Sequence, residues 1–447
     1  MVAKTLTIPH LRSIGQLRQS SLVRAGLWSM ADQALISATN FVTMVLLARN
    51  LSPSAFGAFT LAYTALLFAN SLQAALITQP HNVIGATRTG EDYVSYTTAT
   101  AGMQLVLALA CGLICAVGAL VLDALDISAS RLLLALAPAI VVWQLQEFIR
   151  RVLYTKHNVI GALVNDGISY GGQLVGIVVL WRMDSLTEVR AILVLAITSA
   201  GATVVGLWQI RHHLTADLIR VAWHPMLSEN WRLGKWLTSS ALVSWSSSQL
   251  YPILTAGLVG AAATGAIRAT QTVLGPTQVL VRAIDISLSS PIARNFRDKG
   301  NGAVRSLVRK TFLATAPIMG GYCALTVVFA HPLLRFLYDD NFSSYSWLLW
   351  VAAAGSLLTY SSTPLAVALR ATGHARPLFS AQGIATCLAL TLGIGLVHQF
   401  HLIGTAIAWI LHGIVINAWL AKSYFANLGP LHTELTDNVG IKGSGHK

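Results

Sequence analysis

Long apolar runs alternate with short polar breaks along almost the whole sequence. Each run is long enough to cross a bilayer as a helix, which takes about 20 residues. The runs are continuous, whereas the strands of a membrane barrel would alternate apolar and polar positions in segments of about ten residues. The pattern therefore predicts about twelve membrane-spanning helices. The predicted spans are 25–48, 56–79, 95–121, 132–154, 159–181, 189–210, 236–259, 266–293, 311–337, 346–369, 378–398 and 402–425.

The polar break after the first span recurs halfway along the chain. The first break reads "LSPSAFGAFTLAY", and a similar small-residue turn, "VGAAATGAIRATQ", follows span seven. Gly57 then aligns with Gly265, and Leu153 aligns with Leu369 at a similar offset. Two similar offsets near half the chain length indicate a duplication of six helices. The first break is then a reverse turn that joins helices one and two on the external face.

Because six is an even number, the second half starts in the same orientation as the first, which makes a parallel repeat about an axis along the membrane normal. The predicted fold class is an all-α membrane protein with two six-helix lobes. Transporters built in this way bind substrate between the lobes, so spans one, two, seven and eight are predicted to line a cavity there. The predicted segments are a basic N-terminal segment (1–23), an N-lobe (24–210), an interfacial linker (211–235), a C-lobe (236–426) and a tail (427–447).

The composition agrees with a membrane protein and suggests its orientation. Hydrophobic residues make up 54% of the chain, charged residues 11%, and the mean hydropathy is +0.62. Most of the 30 Lys and Arg residues fall on the side that holds the N-terminus. The positive-inside rule then places both termini, the linker 211–235 and the loop 294–310 in the cytoplasm. Topology and attraction to lipid headgroups account for the net charge of +13, so we predict no nucleic-acid partner.

The sequence carries no signal for a metal, a cofactor or ATP. The four cysteines lie inside predicted spans and show neither metal-ligand nor disulfide spacing. A Walker-type glycine loop is absent, which argues against direct coupling to ATP. We therefore predict no cofactor and no metal site. The cysteines are Cys111, Cys115, Cys323 and Cys387.

Span eight carries the densest set of polar residues. They recur at steps of three and four, which places them on one helical face. A charged residue at the bilayer centre costs about 2.5–3.5 kcal/mol on insertion scales, so such residues face a cavity or one another. The stripe either lines a hydrated cavity, with Arg282 as an anion contact neutralised by Asp285, or bonds neighbouring helices. Its members are Arg268, Gln271, Gly275, Gln278, Arg282, Asp285 and Ser289.

Spans one and seven hold smaller polar sets. Asp32 and Asn40 in span one are candidate cavity residues, and Asp32 aligns with Ser240 at the offset of the repeat. Ser240 and Ser244 are candidates in span seven, although serine in membrane helices is more often a close-packing residue.

Two other spans hold charged residues. Glu147 and Arg151 near the end of span four have the i,i+4 spacing of an ion pair, and we interpret them, with Arg150, as structural anchors. Asp166 in span five and His412 in span twelve are lone candidates for proton coupling, and the alternative for each is a hydrogen bond between helices.

The chain resembles the Wzx-like flippases, the polysaccharide-exporter branch of the multidrug/oligosaccharidyl-lipid/polysaccharide (MOP) superfamily. The resemblance rests on the two six-helix lobes, the hairpin "LSPSAFGAFTLAYTALLFAN" and the "ATGHARP" turn after span ten. The resemblance implies a MATE-like fold and translocation of a lipid-linked oligosaccharide or polysaccharide repeat unit by alternating access, in a bacterial inner membrane. It implies an isoprenoid-diphosphate-linked glycan as substrate, with membrane lipids and polysaccharide polymerase or assembly proteins as partners. Arg268 and Arg282 would supply positive charge for the diphosphate, and the polar side chains would suit sugar hydroxyls.

Two alternatives remain. A multidrug or cation exporter of the same superfamily would use a dominant acidic site with little buried positive charge, and the basic residues of span eight argue against it. A membrane glycosyltransferase or polymerase would need acidic residues on a substantial external loop. The predicted external loops have about ten residues or fewer, and Asp339 and Asp340 are their only adjacent acids. We therefore predict a transporter and not an enzyme.

Overall fold

A computed structural model describes residues 10–127, 129–218, 221–374 and 376–429 of the chain. The side chains of residues 10–27, of Ser29 and of several positions between 240 and 250 lie outside this description. The described residues form helices and short turns, with no β-strand among them. The predicted all-α fold class is confirmed.

Apolar α-helices make up most of the described chain. Three π-helical turns, Ala74–Thr78, Gly167–Gly171 and Ala389–Gly393, continue directly into neighbouring helices. In chain order the α-helices are α1 (His10–Asn50), α2 (Pro53–Gln73), α3 (Gln79–Ile84), α4 (Gly90–Ala124), α5 (Ser130–Thr155), α6 (Val159–Asp166), α7 (Gly172–Arg182), α8 (Glu188–Ile210), α9 (Trp223–Leu258), α10 (Ala261–Val273), α11 (Gly275–Val328), α12 (Ala330–Tyr338), α13 (Trp347–Ala371), α14 (Arg376–Leu388) and α15 (Ile394–Leu428).

Nine helical stretches within the described residues are long and apolar enough to cross a membrane. Two of them, Gly275–Val328 and Arg376–Leu428, have 54 and 53 residues, which is enough for two crossings each at about 20 residues per crossing. Backbone turns with positive φ divide them, at Gly300 (φ 68°) and His401 (φ 50°). These divisions raise the nine stretches to eleven, and α9, which contains all but the last residue of the predicted span 236–259, brings the number to the twelve that the sequence predicts.

The helices form two compact units. The first unit contains the described part of Met1–Thr43 together with Ala65–Ser239, and therefore most of α1 and all of α3 to α8. The second unit contains Met44–Thr64 together with the described part of Ser240–Lys447. The end of α1, the start of α2 and the turn between them thus pack with α10 to α15.

Helix α5 is the central helix of the first unit, because it packs against both α4 and α8. In the most apolar stretch of 18 residues in α5, 67% of the residues are buried inside the protein. Its residues Phe148, Ile149 and Val152 join a core cluster that also contains Ile77 and Ile210. A charged residue on the buried face of this part of α5 must therefore find its partners within the protein, because that face has no access to lipid headgroups or water.

In the second unit, α11 packs along α13, and α15 packs against both α13 and α14. Ile284 and Leu288 of α11 lie in one buried cluster with Val367 and Leu369 of α13. The polar positions 282 and 285 of α11 lie on the same stretch of helix as this apolar contact. They are therefore held at the edge of a well-packed core.

The turn between α1 and α2 lies close to α10. A Cβ atom on Gly57 would lie 1.7 Å from the carbonyl oxygen of Ala261, and a Cβ atom on Gly265 would lie 2.8 Å from the carbonyl oxygen of Pro53. Any larger residue would force the helices apart. The two glycines that the sequence repeat aligns are thus the residues at which α2 and α10 touch.

Polar side chains fasten the same turn to the segment after α12. Arg49 donates from Nε and Nη2 to the two carboxylate oxygens of Asp339, each at 2.8 Å. Asn341 donates from Nδ2 to the carbonyl oxygens of Ala48, Arg49 and Leu51, at distances between 2.9 and 3.3 Å. Because the last carbonyls of a helix lack intrahelical donors, Asn341 caps the end of α1. We call Arg49, Asp339 and Asn341 the turn clasp.

Candidate functional site

A buried group of charged residues lies in the core of the first unit. Arg150 of α5 stands at its centre and donates from Nε to Asp166 Oδ2 at 2.6 Å and from Nη2 to Asp32 Oδ2 at 3.2 Å. It also donates from Nη1 to Glu147 Oε2 at 3.5 Å. The side chains of Asp32 and Asp166 are fully buried, and those of Glu147 and Arg150 are 5% and 9% exposed. We call these four residues the carboxylate cluster.

Two tyrosines complete the carboxylate cluster. Tyr154 donates its hydroxyl hydrogen to Asp32 Oδ2, and Tyr170 donates to Glu147 Oε1 at 2.9 Å. The other oxygen of Asp32 is buried and accepts no hydrogen bond from the described residues. A π-helical turn directly follows Asp166, a local geometry that is frequent at functional sites.

The charges of the carboxylate cluster do not balance. Three carboxylates face one guanidinium, so the fully ionised cluster carries a net charge of minus two inside the protein. Burial of an uncompensated charge is expensive, and closely spaced carboxylates share protons instead of all ionising. The arrangement is therefore chemically suited to bind and release protons.

The structure changes the interpretation of several sequence predictions. Asp166 is not a lone residue, because it shares Arg150 with Asp32. The predicted ion pair between Glu147 and Arg151 is wrong: Glu147 pairs with Arg150 at i,i+3. The reason is that Arg150 faces the carboxylates in the core, whereas Arg151, about 100° further round the helix, is half-buried.

A polar cleft of about 290 Å³ lies in the second unit between α11, α13, α14 and α15. It joins residues of the predicted stripe on α11 to polar residues of two other helices. Its polar lining consists of Arg282, Asp285, Ser362, Thr363 and Gln382. Its apolar lining consists of Val281, Ala366, Leu378, Ala381, Ile416 and Leu420.

Asp285 forms its ion pair across helices. Arg370, in the last turn of α13, donates from Nη2 to Asp285 Oδ1 at 2.5 Å. The prediction that Asp285 neutralises Arg282 is therefore wrong, and Arg282 makes no ion pair with any described residue. An ion pair within a helix is more favourable when the acid precedes the base, and here Arg282 precedes Asp285. Arg370 approaches from the neighbouring helix and has no such constraint.

The predicted stripe on span eight is divided between two places. Helix α10 ends at Val273 and α11 begins at Gly275, with Pro276 in its first turn. Arg268 lies on α10, where its guanidinium stands over the ring of Tyr63 at 5.6 Å. Its Nε is buried and has no hydrogen-bond partner among the described residues. At 1.5 Å per residue, about 21 Å of helix separates Arg268 from Arg282, so one diphosphate cannot contact both.

The other predicted residues lie apart from these two sites. Gln271 is half-buried on α10, and Gln278 is exposed on α11, one turn before Arg282. Asn40 is half-buried on α1, about 12 Å along the helix from Asp32. The side chains of Ser240 and Ser244 lie outside the described residues. The predicted cavity between the two halves stays a prediction.

Sequence reasoning missed Arg370 and Gln382. Arg370 resembles an ordinary basic residue flanking a span, and its partner Asp285 is 85 positions away. Gln382 is the one amide side chain in a mostly apolar helix, without the long series of polar positions that marked span eight. The available signal for Arg370 was its place in "ALRATGHARP", the stretch that supported the repeat.

A family model described as "Polysaccharide biosynthesis protein" matches residues 46–346. The match covers two thirds of the chain and includes Arg150 of the carboxylate cluster as well as Arg282 and Asp285 of the polar cleft. No curated protein matches the chain.

Several solved transporter structures have the same fold. The lipid II flippase MurJ, in an inward closed conformation, aligns with a TM-score of 0.66 at 16% identity over 94% of each chain. An inward-facing multidrug resistance MATE family transporter of the MOP superfamily aligns with a TM-score of 0.65 at 14% identity, over 88% of this chain and 95% of the other. A MOP superfamily transporter from Pyrococcus furiosus Vc1, noted for reverse polarity of its binding pocket, aligns with a TM-score of 0.59 at 13% identity, over 90% and 95%. These likenesses confirm the predicted MATE-like fold.

Proposed function

The chain belongs to the polysaccharide biosynthesis protein family, and we propose that it moves a lipid-linked oligosaccharide or polysaccharide repeat unit from the cytoplasmic to the outer leaflet of a cell's inner membrane. We propose that the lipid is an isoprenoid diphosphate and that the protein acts as a transporter and not as an enzyme. The observation that carries the proposal is the polar cleft. It combines an arginine that makes no ion pair with the described residues and hydroxyl and amide groups inside a membrane-spanning unit.

The chemistry of the polar cleft favours an anionic, hydroxyl-rich substrate. A guanidinium within a membrane helix is costly unless an anion neutralises it. Arg282 has no such anion among the described residues, so a substrate phosphate is the natural partner, which the planar guanidinium binds through two hydrogen bonds. Ser362, Thr363 and Gln382 suit the hydroxyls of a sugar. An organic cation would be repelled by the same arginine.

We propose that the carboxylate cluster couples transport to protons. The cluster has more carboxylates than Arg150 can neutralise, so uptake of a proton by one of them would lower the net charge that is buried there. Proton binding and release would change the charge at the junction of α1, α5 and α6. A protein whose conformations differ in proton affinity shifts between them as those protons bind and leave.

The carboxylate cluster is also the observation that favours the alternative, a multidrug or cation exporter. Such a protein needs buried acidic groups, and three are present. Their exposure of 0–5%, however, leaves no room for an organic cation beside them, and Arg150 already occupies the centre. We therefore assign the cluster to protons and the polar cleft to the substrate.

A leaflet-exchange assay tests the proposed function. Purified protein is reconstituted into liposomes that contain a fluorescent isoprenoid-diphosphate-linked oligosaccharide, and the accessible fraction is read by quenching from outside. We expect the protected fraction to fall only in liposomes that contain the protein. Equal protection with and without the protein, together with export of a fluorescent organic cation, would support the alternative.

A pH gradient tests the coupling. With the unaltered protein, exchange is expected to be faster when protons flow down their gradient than when the pH is equal on both sides. Asp166→Asn should weaken this dependence, because it removes one of the three carboxylates that can take up a proton. Asp184→Asn is the matched control, since Asp184 is exposed at a turn and should leave the pH response unchanged. A gradient response of undiminished size in Asp166→Asn would contradict the assignment.

A further inference from the structure

We infer that the polar cleft is the subsite for the diphosphate and the first sugar of the substrate, and that the diphosphate replaces Asp285 as the partner of Arg370. This inference rests on the proposed function and names the residues that would bind each part of the substrate. Arg370 and Gln382 are the new members of the site. Arg282 contacts the same diphosphate from α11.

The charges of the cleft favour an exchange of partners. Arg282 and Asp285 line the cleft, and Arg370 pairs with Asp285 from outside that lining. Together, the two arginines and the one carboxylate carry one excess positive charge. A diphosphate carries more negative charge than a carboxylate and offers more acceptor oxygens, so it can bind both guanidinium groups at once.

The ion pair between Arg370 and Asp285 is suited to be broken. The two side chains are 50% and 43% exposed, although they meet at 2.5 Å. Half-exposed ion pairs contribute little to stability, because water competes for both partners. Their separation therefore costs little. By contrast, Arg150 is held in the buried carboxylate cluster at 9% exposure and is unsuited to such an exchange.

The size of the cleft limits what it can hold. Its volume of about 290 Å³ lies at the lower end of the range of about 300–1,000 Å³ that is usual for ligand pockets. The volume suits a diphosphate and one sugar and excludes a whole oligosaccharide or an isoprenoid tail. The rest of the substrate must lie outside the cleft.

Gln382 supplies the contact for the sugar. Its Oε1 is buried and accepts no hydrogen bond from the described residues. Buried acceptors in proteins nearly always accept a hydrogen bond. We therefore expect a bound ligand to supply the donor for this oxygen. A sugar hydroxyl is a donor of the right kind. The hydroxyls of Ser362 and Thr363 line the same cleft from α13.

Equilibrium binding of radiolabelled farnesyl diphosphate to the full-length protein in detergent tests the diphosphate contact. We expect Arg282→Gln and Arg370→Gln each to weaken binding about tenfold or more, the value of one lost charge-assisted hydrogen bond. Arg376→Gln is the matched control, because Arg376 is exposed at the start of α14 and outside the cleft. Inorganic diphosphate should compete, whereas farnesol should not.

Asp285→Asn separates partner exchange from a structural role. Removal of the competing carboxylate frees Arg370, so binding of farnesyl diphosphate should become severalfold tighter. An ion pair that only holds α11 to α13 would give weaker or unchanged binding instead. For the sugar contact, Gln382→Leu should weaken binding of a farnesyl-diphosphate-linked hexose and leave binding of farnesyl diphosphate unchanged.

The outcomes for the subsite and for the proposed function are distinguishable. If Arg282→Gln and Arg370→Gln bind farnesyl diphosphate as tightly as the unaltered protein does, or if Asp285→Asn weakens binding or leaves it unchanged, the subsite is overturned. Leaflet exchange of the lipid-linked oligosaccharide by the unaltered protein would then still uphold the proposed function. Failure of the unaltered protein in both the binding assay and the exchange assay would overturn the subsite and the function together.

Discussion

Arg150 shows how one side chain can hold a buried acidic site together. It makes contacts of 2.6, 3.2 and 3.5 Å with carboxylates from α6, α1 and its own helix. Removal of one partner from a buried ion pair leaves uncompensated charge and costs about 3–5 kcal/mol. The cluster therefore has two more carboxylates than cations, and its stability depends on the single guanidinium of Arg150.

Arg150→Gln is expected to lower the free energy of unfolding by about 3–5 kcal/mol, because three buried carboxylates lose their cation. Thermal unfolding of the purified protein in detergent measures the change. Arg151→Gln is the control: Arg151 follows Arg150 directly, is half-buried, and has no ion pair with described residues. Arg150→Gln combined with Asp166→Asn should recover part of the loss. Identical unfolding temperatures for the two single variants would refute the role of Arg150.

The contact between α2 and α10 depends on the absence of side chains. Gly57→Ala would place a Cβ atom 1.7 Å from the backbone oxygen of Ala261, which cannot rotate away. Overpacking of this kind costs about 1–3 kcal/mol, so we expect a clear fall in the unfolding temperature. Gly257→Ala, in α9, adds the same methyl group where no atom lies within 4 Å and should have little effect. Equal stability of both variants would argue against the close contact.

The turn clasp is expected to limit the local mobility of the turn between α1 and α2. Its ion pair is 45% and 59% exposed and should contribute about 0–1 kcal/mol. The amide of Asn341 caps three carbonyls and should matter more. Asn341→Ala is therefore expected to raise amide hydrogen exchange in residues 48–56. Asp340→Ala is the control, because Asp340 directly precedes Asn341 in the chain and is 80% exposed. If exchange rises equally in both variants, the cap has no role of its own.

The orientation of the whole molecule is testable with cysteine labelling. The distribution of Lys and Arg predicts that the loop 294–310 is cytoplasmic and that Asp339 and Asp340 are external. An impermeant maleimide applied to intact cells should therefore label Asp340→Cys and leave Lys299→Cys unlabelled. Both positions should react after the membrane is opened. Labelling of Lys299→Cys in intact cells would reverse the topology.

Hydropathy along the chain was enough to predict the class and the helices. A crossing helix is recognised by the average over about 20 consecutive residues, which is a local property of the chain. The predicted ranges 132–154 and 346–369 therefore lie close to α5, Ser130–Thr155, and α13, Trp347–Ala371. The same pattern singled out Arg282 and Asp285 as polar residues on one helical face, and both line the polar cleft.

The partners of these residues could not be read from periodicity, because helical spacing relates a residue only to neighbours on its own helix. Asp285 pairs with Arg370, which is 85 positions later, and Asp32 pairs with Arg150, which is 118 positions later. Both contacts exist because separate helices pack side by side. The same reason explains why residues 44–64 pack with the second unit: the glycine contact and the turn clasp join them to distant segments. Local composition thus specifies which segments are helices, whereas the pairing of charges depends on how those helices pack.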